Sequence, residues 1–460
     1  MHRRDFIQKS SLTALFSAGI VPAALAKQAG KAKNIIFLVS DGMSLGTLQM
    51  TDLQMRQSDG RPSEWIGWYA DSRVKRALME TYSANAFVTD SAAASSAWGG
   101  GVRVPNGSLN VGSNGEKYTP ILQKCKQVGK SVGCVTTVQI THATPAGFCI
   151  NSASRRGMEE IAEMYLPLRF DVMMGGGLDL FQAESRQDKK DVLSQFEAQG
   201  YTVATQRESM LKAPVGKPLL GVFHPDGLPY ALDRLQSPTL QKEIPTLAEM
   251  TQKALDVLKN NPKGFVLQIE SGKVDWAAHA NDIAALLGEQ RALDEALGVV
   301  KKFILEQPDT LVILTTDHGN ANPGLFSTSD VNKKFDRIRS FKHTNDWILN
   351  GLSLNSSVQQ VIDRIEYAQG WAPTQEQAWH LLENYIHRDE KGIYNPRKLP
   401  FDRLANIQSK HTGIGWGSMD HSSDYVELAM WGPGSENLPS FVKNTDLHGW
   451  MLTALGMKVS

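Results

Sequence analysis

The chain has 460 residues, enough for one large α/β domain with insertions or for two or three average ones. Its 48 basic residues balance 48 acidic ones with no long block of either sign, which argues against a nucleic-acid partner or an electrostatically held membrane surface and favours a small solute. Three cysteines, Cys125, Cys134 and Cys149, lack CxxC spacing and allow one disulfide at most, so buried thiols are expected rather than a disulfide framework or a thiolate zinc site.

The N-terminal stretch MHRRDFIQKSSLTALFSAGIVPAALAKQAG pairs Arg3 with Arg4, continues with a modest apolar run and ends in the small-residue site Ala24-Leu25-Ala26. This is the layout of an export signal of twin-arginine type, cleaved after Ala26, which places the mature chain in the periplasm or outside the cell. The apolar run contains Gly19 and Pro22 and falls short of the ~20 residues a membrane span needs, so no stable anchor is expected.

NIIFLVS (34–40) is a β-branched apolar run that stops at Asp41-Gly42, the pattern of a strand buried on both faces. Similar runs follow at SVGCVTTV (131–138), GFVLQIE (264–270) and TLVILTT (310–316), with helical patterns such as TLAEMTQKALDVLKNN (246–261) between them. Alternating strands and helices predict an α/β fold with a central, mostly parallel sheet flanked by helices. From about 321 to 410 the chain becomes rich in aromatic, Asn, Gln and charged residues, which reads as a crown or lid-like insertion into a single domain spanning 27–460.

VTDSAAASSAWGGG (88–101) is either an ordinary small-residue helix or a nucleophile, Ser91, presented at a helix N-terminus. Ligands bind outside the carboxyl ends of strands in such sheets. Three strands end there in chemistry-bearing residues: Asp41, Glu270 and Asp317-His318. One strand-end Asp is often a turn residue, but three at one edge suit a metal site. Asp275 and His279 stand four apart in SGKVDWAAHAND and share a helix face, either as a surface pair or as ligands. His411 and His421 are both open as completing ligands. THATPAGFCINSASRRG holds Thr144 and Arg155; the guanidinium suits phosphate, though Arg155 and Arg156 read equally well as surface charges.

The ordered motifs NIIFLVSDGM, VTDSAAA, THATPAG, NPKGFVLQIESGKVDWAAHAND, LTTDHGN and TDLHGWMLTALGM resemble the alkaline phosphatase family, with the match fading between about 321 and 410. The resemblance implies an exported, metal-dependent phosphomonoesterase acting through a phosphoserine intermediate on Ser91. It implies two zinc ions, one on Asp275, His279 and His421 and one on Asp41, Asp317 and His318. A third ion, usually magnesium, falls to Asp41, Thr144 and Glu270, and Arg155 grips the phosphate. Asp90 either caps the helix or orients Arg155. Some bacterial members carry Asp and Lys where this chain has His142 and Trp276, which puts cobalt beside magnesium as an option for the third ion. Small phosphate esters are the implied substrates and a homodimer the implied assembly. Phosphodiesterases, sulfatases and mutases share the two-metal frame, and a non-catalytic phosphate- or metal-binding protein would keep the ligands without needing Ser91. Ala92, Ala93 and Ala94 are expected to let the helix begin close to the ions and the phosphoryl group.

Overall fold

The computed structural model describes residues 31–387 and 399–459, so the export-signal reading lies outside the described residues. Ten strands form one sheet: β1 Asn34–Ser40, β2 Lys75–Met79, β3 Ser131–Gln139, β4 Val172–Gly176, β5 Thr202–Ala204, β6 Leu219–Val222, β7 Phe265–Ser271, β8 Thr310–Thr315, β9 Val426–Trp431 and β10 Phe441–Val442. Their spatial order is β10-β2-β9-β8-β1-β7-β3-β4-β6-β5. The central run from β8 to β5 is parallel throughout, and only β9 runs against its neighbours β8 and β2.

The uniformly apolar strands follow from two covered faces. Successive side chains point to opposite sides of a strand. On β1, Ile36 and Leu38 join one core layer while Ile35, Phe37 and Val39 join the other. β8 repeats the pattern, with Val312 and Leu314 on the first face and Leu311 and Ile313 on the second.

Five helices matter for the site: α1 Ser91–Gly99, α2 Ala143–Cys149, α3 Leu247–Leu258, α4 Lys273–His279 and α5 Ile283–Glu306. The first face is covered by α3 and α5. α3 begins with a capping box in which Thr246 and Glu249 satisfy each other's backbone N–H, and Asp282 caps α5 by accepting from Ala284 and Ala285. The second face is covered by α1, α2 and the helix Asp446–Ala454, through Trp98, Phe148 and Met451.

Between β8 and β9 the described residues of the expected insertion are mainly helical, including Val331–Asp336, Asn345–Asn350, Val358–Gln369, Gln375–Leu382 and Phe401–Thr412. Phe335, Ile348, Val361, Ile365 and Phe401 bury themselves in the first core layer, so this stretch thickens that layer instead of standing apart. β8 and β9 pair directly across it. Among the described residues no helix is long and apolar enough to cross a membrane.

Candidate active site

Four adjacent parallel strands, β8, β1, β7 and β3, bring their carboxyl ends to one edge. Asp41 follows β1, Asp317 and His318 follow β8, and α2 with Thr144 follows β3. Glu270 sits one residue inside the end of β7, in register with Thr136 of β3, whose hydroxyl donates to Glu270 Oε2. Asp41, Thr144, Glu270, Asp317 and His318 are all essentially inaccessible to solvent.

Asp275 and His279 occupy one face of α4, with His279 Nε2 3.5 Å from Asp275 Oδ2. His421 meets them from the short strand His421–Ser422 ahead of β9, its Nε2 3.0 Å from His279 Nε2 and 3.4 Å from Asp275 Oδ1. The His318 ring stacks on His421 at 3.7 Å between centroids. His411 lies elsewhere, stacked on Trp371 in the helical layer.

Carbonyl oxygens fix these rings. His279 Nδ1 faces Met419 O at 2.6 Å, His421 Nδ1 faces Thr89 O at 3.0 Å and His318 Nδ1 faces Gly319 O at 3.3 Å. A carbonyl can only accept, so each Nδ1 carries the proton and each Nε2 keeps a lone pair in the neutral ring. Those lone pairs converge, an arrangement that asks for a cation between them.

The carboxylates make the same demand. Burial, together with the charges of Asp317, Asp275 and Glu270, pushes the Asp41 carboxyl well above its usual range. Burial likewise raises Glu270 to about 7. Against the desolvation of burial, the imidazoles of His279 and His421 hold Asp275 well below the carboxylate range, and Asp275 in turn lifts His421 to about 9. Asp41 Oδ1, Glu270 Oε1 and His142 Nδ1 are buried without a hydrogen-bond partner. Buried unpaired charge is costly unless it is neutralised or coordinates a metal. Three sets have donor atoms within 4.8 Å of one another: Asp275, His279 and His421; Asp41, Asp275 and His318; and Asp41, His142 and Glu270.

This grouping differs in detail from the expected ligand sets. Asp317 reaches the centre through His318, with Oδ2 3.1 Å from Nε2, while its Oδ1 accepts from the backbone N–H of Gly42 at 3.0 Å. Thr144 Oγ1 donates to Asp41 Oδ2 at 3.1 Å, and His142 joins Asp41 and Glu270 as a direct neighbour. Two contributors are absent from the sequence reading. Thr136 is visible only once strand register is known, and Asn320, which closes the LTTDHGN motif, donates to Asp275 Oδ1 at 2.7 Å from the short strand Gly319–Asn320.

Ser91 opens α1, buried, with its Oγ 3.4 Å from His318 Nε2. Asp90 does both of the things posed as alternatives. Its Oδ1 accepts from Ala93 N at 3.0 Å as a helix cap, and its Oδ2 accepts from Arg155 Nη1 at 3.1 Å and from Gly107 N at 3.0 Å. Arg155 Nη2 also meets His142 Nε2 at 2.9 Å, whereas Arg156 is exposed. Burial, reinforced by the Arg155 charge, lowers His142 to about 3, so its ring is neutral and accepts from the guanidinium. Trp276 sets its ring edge-on to His142, 6.4 Å between centroids.

Small residues further along α1 serve packing against α2. A Cβ on Gly99 would stand 1.9 Å from Gly147 O, and one on Gly147 2.3 Å from Ser95 Oγ. The two helices therefore touch backbone to backbone, joined by Ser95 Oγ donating to Thr144 O at 2.6 Å. That contact ties the helix that carries Ser91 to Thr144.

A family model described as alkaline phosphatase matches residues 32–457. The chain belongs to the alkaline phosphatase family. Alkaline phosphatase 4 of Bacillus subtilis (strain 168) is 31% identical over 433 residues, covering 92% of this chain and 89% of the relative. The crystal structure of Thermus thermophilus alkaline phosphatase superposes with a TM-score of 0.87 at 31% identity, covering 97% of each chain. The cold-active enzyme of the psychrophile Shewanella sp. gives 0.77 at 26% identity, covering 92% of this chain and 99% of that one. Membership makes the chain an enzyme that hydrolyses phosphate monoesters and uses metal ions, as an alkaline phosphatase does. The mostly parallel sheet flanked by helices is the family's fold.

Proposed function

We propose that the chain is an exported phosphomonoesterase that releases inorganic phosphate through a phosphoserine on Ser91, with two zinc ions and a third ion, magnesium or cobalt, around it. The observation that carries this reading is the Ser91 hydroxyl at the N-terminus of α1, 3.4 Å from an imidazole that belongs to a buried convergence of unpaired ligand atoms. Asp275, His279 and His421 would hold one zinc, Asp41, Asp317 and His318 the other, and Asp41, Thr144 and Glu270 the third ion with His142 beside it.

When bound, such ions supply positive charge that lowers the pKa of a hydroxyl and offsets charge on a leaving oxygen. The chain's own residues do the rest. Ser91 Oγ attacks phosphorus, the bond to the ester oxygen breaks, and the departing alcohol takes up a proton. Water then cleaves the seryl phosphate and restores the hydroxyl. The unpaired N–H groups at the start of α1 face the phosphoryl oxygens. Arg155, oriented by Asp90 on one side and His142 on the other, offers its fork to the same group.

Monoesters are favoured over diesters because a dianionic phosphoryl group matches this charge. A higher kcat/KM for an aryl phosphate diester than for the monoester would overturn that choice. Ser91→Ala separates an enzyme from a binding protein: the variant should keep metal and phosphate binding and lose turnover, whereas a binding protein would be unaffected.

The wider assignment comprises one domain over 27–460 with the 321–410 stretch inserted, export by the twin-arginine signal to the periplasm or beyond, and a homodimer. The direct pairing of β8 with β9 across the insertion supports the first of these. Cell fractionation with Arg3→Lys/Arg4→Lys and light scattering of the mature chain test the other two.

A further inference from the structure

Two buried serines end the apolar columns that the sheet turns toward α5. On β1 the column runs Ile36, Leu38, Ser40 and on β7 Leu267, Ile269, Ser271, with the apolar members in the first core layer. Ser40 and Ser271 are register partners and inaccessible to solvent, and each adjoins a candidate ligand in sequence, Ser40 before Asp41 and Ser271 after Glu270. A column end that needed only filling would be apolar, because burying a hydroxyl is costly unless it is hydrogen-bonded.

Both hydroxyls bond to the same helix. Ser40 Oγ donates to Gln290 Oε1 at 2.5 Å, and Ser271 Oγ donates to Glu289 O at 3.0 Å. Gln290 is itself buried, on a helix of 24 residues whose N-cap, Asp282, also accepts from Asn345 N at 2.5 Å, so the platform is braced against the helical layer as well as the sheet. The tether stands where the ladder of the sheet gives out. Asp41 N reaches Ser271 O at 3.3 Å, just beyond the usual range, and Gly42 N bonds to Asp317 Oδ1 instead of to a strand.

Metal ligands have to stand within ~0.2 Å of their proper distance from the ion. Asp41 belongs to two of the donor groups, with His142 and Glu270 and with Asp275 and His318, so a displaced strand end is felt in both. We infer that Gln290 is a positioning residue: by holding Ser40 it sets the end of β1 so that the Asp41 carboxylate meets Glu270 at the third-ion site. Glu289 O restrains the end of β7 in the same way through Ser271. The inference rests on the reading above in which Asp41 and Glu270 hold the third ion.

Magnesium and cobalt are titrated separately by calorimetry into the zinc-loaded full enzyme, and the ion that wild type binds more tightly serves as the probe for the variants. Gln290→Met, which keeps the bulk and removes the acceptor, should weaken binding of that ion roughly tenfold or more, the usual cost of losing a group that orients a ligand. Ser40→Ala should weaken it to a similar degree, and the double variant should add nothing further. Gln290→Glu keeps an acceptor for the Ser40 hydroxyl and should bind the ion nearly as wild type does. Melting temperatures of the stripped proteins are recorded alongside, and if Gln290→Met does not fold, Ser40→Ala and Gln290→Glu decide. Unchanged affinity in Gln290→Met and Ser40→Ala overturns the inference, as do additive losses in the double variant or a loss in Gln290→Glu as large as that in Ser40→Ala. Glu270→Gln keeps the two claims apart: undiminished binding of the probe ion by that variant would refute the third-ion reading, whatever Gln290 does.

Discussion

His279 Nε2 and His421 Nε2 face each other at 3.0 Å, with both Nδ1 atoms held on backbone carbonyls. Two imidazole lone pairs so close repel unless a proton or a metal ion lies between them. The pair is built on different elements, α4 and the short strand His421–Ser422 ahead of β9, so whatever binds there also clamps the C-terminal part of the chain to the core.

Chelation should therefore remove activity and lower the melting temperature together, because ligand-binding free energy is added to the folded state. His421→Ala should lose one equivalent of bound metal and at least ~100-fold in kcat, in line with the size of metal-ion effects on such displacements. Metal analysis and differential scanning calorimetry with and without chelator check both parts. An unchanged melting temperature after complete stripping would contradict the clamp.

The His142 position bears on the third ion. If the His142 lone pair passes from Arg155 to the third ion, reactivation of the stripped enzyme should go further when cobalt accompanies zinc than with zinc and magnesium alone, since a nitrogen ligand suits cobalt better than magnesium. Full recovery with zinc and magnesium and no gain from cobalt would remove cobalt from the account.

Asp90 holds two jobs on separate oxygens, and substitutions separate them. Asp90→Ala should cost about 1 kcal/mol of stability through the lost cap and also weaken phosphate inhibition. Asp90→Asn retains an acceptor for Ala93 N and loses the charge opposite Arg155, so the inhibition constant for phosphate should rise several-fold at nearly constant melting temperature. Equal effects of the two variants on stability would refute the division.

The α1–α2 contact predicts that Gly99→Ala is destabilising by roughly 3 kcal/mol, the upper end of overpacking costs, because its Cβ would meet a backbone oxygen that cannot rotate away. Its kcat should fall as well, since the displaced helices carry Ser91 and Thr144. Urea unfolding and kinetics on one preparation test this.

Asp294 supplies a pH-dependent term far from the metals. Burial pushes its carboxyl up to about 6, with the Trp65 N–H and Arg61 opposing. The folded value is raised, so the associated stability is fully present below the unfolded value near 3.8 and is lost as pH rises through 6. Asp294→Asn keeps an acceptor for Trp65 N and removes the charge. Its melting temperature relative to wild type should be higher at pH 8 than at pH 4.5, by an amount equivalent to about 1–2 kcal/mol. A difference of the opposite sign would contradict the assignment.

What the sequence made legible follows from how local each signal is. Strands apolar on both faces announce themselves, and their ends carry Asp41 and Asp317-His318 to one edge without any knowledge of pairing order. The i, i+4 spacing likewise brings Asp275 and His279 together. Thr136 reaches Glu270 through the register of two strands far apart in sequence, and Asn320 reaches Asp275 from the two-residue strand Gly319–Asn320, so neither leaves a periodic trace. His411 and His421 sit in similar local sequence, and only tertiary placement separates the residue stacked on Trp371 from the one in the cluster. The short outer strands β5 and β10, three and two residues long, carry too little pattern to read. The Ala-Ser run of α1 was legible as a helix, but the need for small residues at Ser95 and Gly99, contact with Gly147, requires the partner helix in view.

The central claim is that Ser91 becomes covalently phosphorylated. Acid quenching of the wild-type enzyme during turnover of an aryl phosphate, followed by peptide mass spectrometry, tests it most directly. One phosphoryl group is expected on the peptide containing Ser91, absent in Ser91→Ala, with burst release of the aryl alcohol matching active sites one to one. Steady turnover with no phosphopeptide and no burst, or undiminished turnover by Ser91→Ala, would contradict it.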